Sequence, residues 1–84
     1  RRQLAVIAVN VTESRLLDFK AREIAELTSV LHVSIVAGQF DLFVEVLVDS
    51  NKGLVRFLTE ELSSIDGITA TQSFVTLKSY NKFV

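Results

Sequence analysis

The sequence predicts an α+β fold: one antiparallel sheet carrying two helices on a single face. Two observations point there. Apolar segments of strand length and amphipathic segments of helix length follow one another in the order β-α-β-β-α-β. The first and third strand segments are apolar on both faces, as central strands are, whereas the second and fourth are mixed, as edge strands are.

Composition narrows the field before any element is placed. The chain has 84 residues, enough for one domain near the small end of what folds alone. Hydrophobic residues make up 49%, far above a disordered segment. The net charge of -1 gives no general attraction for phosphate backbones, which argues against this segment gripping nucleic acid itself. The longest apolar runs are only strand-length, so no membrane span is expected, and no signal or transit sequence stands out. With no cysteine there is no disulfide framework, thiolate metal site or thiol nucleophile, which fits a reducing compartment. The chain starts at Arg1 and contains no methionine, so an excised domain with a segment upstream is the expectation.

The first strand is expected over residues 2–11, with Ala5, Ile7, Val9 and Val11 on one face and Leu4, Val6 and Ala8 on the other. Thr12, Glu13 and Ser14 offer capping hydroxyls and an early acid for a helix over residues 14–27. On that helix Leu16, Leu17, Ala21, Ile24, Ala25, Leu27 and Thr28 share one half of the wheel, opposite Arg15, Asp18, Arg22, Glu23 and Glu26. Phe19 falls among the charges, either folded onto the core edge or in contact with another subunit. A second strand follows over residues 30–37, with Leu31, Val33, Ile35 and Ala37 expected on one apolar face. The turn Ala37-Gly38-Gln39-Phe40-Asp41 then leads into a third strand, LFVEVLV, ending near Asp49; Gly38 is the residue there free to take positive φ. Asp49, Ser50 and Asn51 cap a helix over residues 51–64, whose Leu54, Leu58, Leu62 and Ile65 make the apolar stripe. Gly67 is expected in the left-handed stop position. The last strand, ITATQSFVTL, begins at Ile68 and ends at Leu77 or Tyr80, with Thr69, Thr71 and Ser73 on one side and Ile68, Ala70, Gln72 and Phe74 on the other. The mixed tail over residues 78–84 gives no readable path.

This order is the split, ferredoxin-like arrangement, a βαββαβ sandwich. Right-handed crossovers place the first and third strands in the middle and both helices on one face. The other face keeps several large side chains, and burying a Val, Leu or Phe stabilises by roughly 1.5–3 kcal/mol. A second copy stacked sheet to sheet is the expected cover, so the chain is expected to be an obligate dimer.

Several stretches together resemble a known family. The element order, the turn Gly38-Gln39-Phe40-Asp41 before LFVEVLV, the helix LVRFLTEELSSIDGI and the closing TATQSFVTL resemble the effector-binding (RAM) domain of the Lrp/AsnC transcription regulators of bacteria and archaea, over roughly residues 4–77. The resemblance implies a single RAM-type domain over residues 1–84, with a helix-turn-helix DNA-binding domain lying N-terminal to it and outside this chain. It implies a cytoplasmic homo-oligomer, a dimer that assembles further into a tetramer of dimers. It also implies a small effector, typically an amino acid, in a crevice between dimers near the turn after the second strand. DNA would be met only through the other domain, and no cofactor, metal or membrane is implied. The chain departs from the family pattern at Thr28-Ser29-Val30, where Pro-Glu-Val is frequent, and at Phe40, where tyrosine is common.

An amino acid needs anion-binding donors beside an acceptor for its ammonium group. The turn Gly38-Gln39-Phe40-Asp41 offers both: exposed backbone N–H groups for the carboxylate, and the Asp41 side chain for the ammonium. Phe40 would add an apolar wall and Thr69, Thr71 and Ser73 hydroxyl contacts. Ordinary hairpin chemistry accounts equally for Gly38 and Asp41, and edge-strand propensity for the three hydroxyl residues. His32, the single histidine, has no Cys or second His with which to hold a metal and is expected to face solvent. Asp49, Glu60, Glu61 and Asp66 read as helix-end or solvated charges. No nucleophile triad, carboxylate pair or phosphate loop is present, so no enzyme is expected. Three readings remain open beside the regulator: an assembly module without ligand, an ACT-like amino-acid-sensing domain of an enzyme, and a dimeric ferredoxin-like isomerase or oxygenase subunit.

Overall fold

Strand β1, Gln3–Val11, forms the spine of the sheet, pairing antiparallel with β3, Leu42–Val48, on one side and β4, Ile68–Val75, on the other. With β2, Val30–Ile35, on the outside of β3, the sheet order is β2-β3-β1-β4. The structure, a computed structural model, describes residues 2–80. The two strands apolar on both faces are therefore the central pair, as expected. Their helix-side residues Ala5, Ile7, Val9, Val11, Leu42, Val44, Val46 and Val48 are buried in one core with Ile24, Leu54, Phe57 and Leu62 of the helices.

Helix α1, Leu17–Ala25, is entered through a tight turn, Ser14–Leu16. The expected hydroxyl cap is not made: Glu13 holds the cap position without a side-chain bond, and the Thr12 amide donates instead to Gly67 O at 2.8 Å. The helix stops two residues short of its expected end. Phe19 is 54% exposed, so it does not fold onto this chain's core. Lys20, which the helical pattern does not flag, is buried, its ammonium donating to Glu23 Oε1 at 2.9 Å. Its stem lies beside Gly67, where a Cβ would stand 3.4 Å from Lys20 Cε. Gly67 itself has φ 82°, the expected left-handed stop.

Helix α2, Asn51–Arg56, is capped by Ser50, whose hydroxyl accepts from the Gly53 amide at 3.1 Å. It continues into a wide turn at Phe57–Glu61 and a tight one at Leu62–Ser64 rather than running regularly to its end. Hydroxyls on this stretch compete for carbonyls, Thr59 donating to Val55 O and Ser64 to Glu61 O.

Two bulges change the expected strand faces. In β2 the pairing steps from Val30↔Val46 to His32↔Glu45, so Leu31 is the extra residue. Val30 and Val33 both pack toward the core, while Leu31 is 58% exposed and Ala37 lies beyond the strand. In β4 the step from Asn10↔Ala70 to Val11↔Ile68 makes Thr69 the extra residue. Ile68 thus packs against the core on the side of Thr71 and Ser73, not with Ala70, Gln72 and Phe74. The strand ends at Val75, before either expected terminus. The last part of the tail, 81–84, lies outside the described residues.

The helix-free face carries Leu4, Val6 and Ala8 from β1, Phe43 and Leu47 from β3, and Phe74 from β4. Ala8, paired with Phe43 on one side and Gln72 on the other, is fully buried. The larger side chains are not: Leu4 is 37%, Phe43 42% and Phe74 49% exposed.

Candidate functional site

The turn between β2 and β3 closes over the C-terminal end of β1. Asp41 anchors it. Its amide donates to Val9 O at 3.0 Å and to Asn10 Oδ1 at 3.1 Å, its carbonyl accepts from the Val36 amide, and its Oδ2 accepts from the Val11 amide at 2.9 Å. Asp41 Oδ1 makes no hydrogen bond among the described residues. Gly38, at φ 155°, and Gln39 are exposed at the tip, with Phe40 half-buried behind them. Among the described residues the amides of Gly38, Gln39 and Phe40 make no hydrogen bond within the chain. Three amides without a partner within the chain and one free carboxylate oxygen thus belong to the same turn, groups of the kind a zwitterion needs.

Asn10 joins this turn to β4. Its side chain receives the Asp41 amide, and its carbonyl accepts from Thr69 Oγ1 at 3.4 Å. The expected residues therefore separate into two groups. Gly38, Gln39, Phe40, Asp41 and Thr69 lie at one end of the sheet, linked through Asn10. Thr71 and Ser73 pair with Val9 and Ile7, progressively farther down the strand and on the helix-bearing side. Thr71 lines a separate shallow hollow of about 280 Å³ with Leu58, Leu62 and Ile68. The sequence signal for Asn10 is faint: apart from Gln3 at the first position, it is the one polar residue of an apolar strand.

Other titratable side chains among the described residues make local contacts only. His32 is exposed, with Nδ1 3.6 Å from Glu45 Oε2 and 3.4 Å from Ser34 Oγ. Both contacts converge on one ring nitrogen, so no serine-histidine-acid relay exists there. No group of three or more metal-ligating side chains occurs among the described residues. Glu61, expected at a helix end or in solvent, instead accepts from the Ser29 amide at 3.0 Å and the Ser29 hydroxyl at 2.6 Å, tying the turn after α2 to the start of β2.

A four-stranded antiparallel sheet in this order, with both helices on one face, defines a ferredoxin-like α+β domain. Residues 4–83 match the family model described as the Lrp/AsnC ligand binding domain, and the chain belongs to that family. It is 36% identical over 72 residues to an HTH-type transcriptional regulator of Pyrococcus furiosus, covering 86% of this chain and 48% of that protein. The chain thus spans about half the length of the curated relatives it matches. Its fold is similar to that of AsnC of E. coli, with a TM-score of 0.88 at 17% identity over 98% of this chain and 55% of the other. It is also similar to a transcriptional regulator of Neisseria meningitidis solved as an L-methionine complex, with a TM-score of 0.82 at 20% identity over 94% and 52% of the two chains. No helix among the described residues is long and apolar enough to cross a membrane.

Proposed function

We propose that this chain is the effector-binding and oligomerisation domain of an Lrp/AsnC-type transcription regulator, sensing an amino acid or similar small molecule at a subunit interface. The observation that carries this is the match of residues 4–83 to a ligand binding domain. The geometry is compatible with it. The effector carboxylate meets the amides of Gly38, Gln39 and Phe40, and its ammonium meets the free oxygen of Asp41. Phe40 supplies the apolar wall, and Thr69 a hydroxyl held in place through Asn10. Thr71 and Ser73 enter the site only from a neighbouring copy, since within one chain they stand apart from the turn. The domain is not catalytic. It works in the cytoplasm and meets DNA through a separate N-terminal helix-turn-helix domain.

Linkage is the mechanism. An effector bound across copies favours one assembly over another, and the assembly sets how the DNA-binding domains are presented. Calorimetric titration of the full chain with the common amino acids tests it. Saturable heat is expected for at least one of them, weakened about tenfold or more by Asp41→Asn. No heat for any would overturn the sensing role and leave an assembly module.

A further inference from the structure

At the end of the sheet opposite the β2–β3 turn lies a hollow of about 400 Å³, walled by the start of β1, the bulge of β2, the end of β3 and α2. That size falls within the range of small-molecule sites. Three of its features bear on what it could hold. Leu31 lies in the bulge of β2 and is 58% exposed, although leucine is usually buried. Bulges re-aim side chains, and this one leaves Leu31 lining the hollow beside Leu47. Gly53 lines it from the first turn of α2, where glycine is less favourable than alanine by about 1 kcal/mol. A Cβ at that position would come within 3.2 Å of Asp49 Oδ1. Finally, Arg2 and Arg56 both line the hollow, and neither forms an ion pair among the described residues. Two carboxylates line it as well: Glu61 accepts from Ser29 on both oxygens, and Asp49 stands beside Gly53 at the start of α2.

We propose that this hollow is a second ligand site, separate from the turn, which takes a small organic acid with a short apolar tail. Guanidinium groups present paired N–H donors that match a carboxylate, so Arg2 and Arg56 hold the acid head. Leu31 packs the tail. The nine residues of β1 separate this hollow from the turn, about 26 Å at strand rise, so one small ligand cannot span both. The site stands or falls independently of the amino-acid site proposed above.

Amide chemical shifts of the ¹⁵N-labelled full chain test this directly, using 4-methylpentanoate, 4-methylpentylamine and inorganic phosphate as probes. The acid is expected to move the Leu31 and Gly53 amides saturably and to leave Gly38, Gln39 and Asp41 in place, while the amine moves neither set. Arg56→Gln, at an exposed position, should weaken the acid about tenfold with the rest of the spectrum unchanged. Leu31→Ser should weaken the acid without changing the response to phosphate. The proposal is overturned if the acid gives no saturable shift or moves only the turn amides. It is equally overturned if phosphate alone reproduces the acid's shifts at equal affinity, which would make the hollow an anion patch with no place for a tail.

Discussion

Asp41 shows how one side chain can serve the fold and still leave something for a ligand. Its Oδ2 satisfies the Val11 amide at the last residue of β1, while its own amide is shared between Val9 O and Asn10 Oδ1. Removing the carboxylate strands a half-buried N–H, and hydrogen bonds to charged groups contribute about 1.5–3 kcal/mol. Asp41→Ala is therefore expected to lower unfolding free energy by about that amount in urea denaturation, with an unchanged m-value. Asp41→Asn keeps an acceptor for Val11 and should lose markedly less stability than the alanine variant. The hairpin reading and the ligand reading of this residue thus do not compete, because they use different oxygens.

At the scale of the element, α2 and the turns that continue it to Ser64 are held by contacts near both ends. Ser50 caps its start, and Ser50→Ala should cost about 1 kcal/mol, read from the urea midpoint. Near its other end Glu61 grips both polar groups of Ser29, fixing where β2 begins. Glu61→Ala leaves the Ser29 amide and hydroxyl without that partner. Faster hydrogen exchange at the amides of Ser29 and Val30 is expected, beyond any change at the distant β2–β3 turn. Uniform protection across both regions would show instead that this clamp carries no local stability. Sequence alone gives no sign of the Glu61–Ser29 pairing, because the partners lie thirty-two positions apart and nothing local marks it.

The whole molecule has one layer too few. Both helices cover the same side of the sheet, leaving Leu4, Phe43 and Phe74 partly exposed around Val6 and Ala8 on the other. Face-to-face stacking of a second copy would remove those side chains from water, contributing roughly 25 cal/mol for each Å² of apolar surface covered. Phe43→Asp is accordingly expected to convert a dimer into a folded monomer, read as a halved mass by light scattering with the far-ultraviolet circular dichroism retained. A wild-type chain that is already monomeric at micromolar concentration would refute the stacked arrangement.

Strand and helix order, the central place of β1 and β3, the Ser50 cap and the left-handed Gly67 were all legible in the chain as written. Each rests on neighbours within a few positions, where hydrophobic period and capping chemistry act. The bulges at Leu31 and Thr69 were not legible, since a single extra residue reverses every side-chain face beyond it and no glycine or proline announces either one. The same holds for the meeting of Asn10, Asp41 and Thr69, and for the hollow that gathers Arg2, Leu31 and Arg56. These groupings depend on register between strands distant in sequence, and register is settled by packing of the assembled sheet against its helices rather than by any local run of residues.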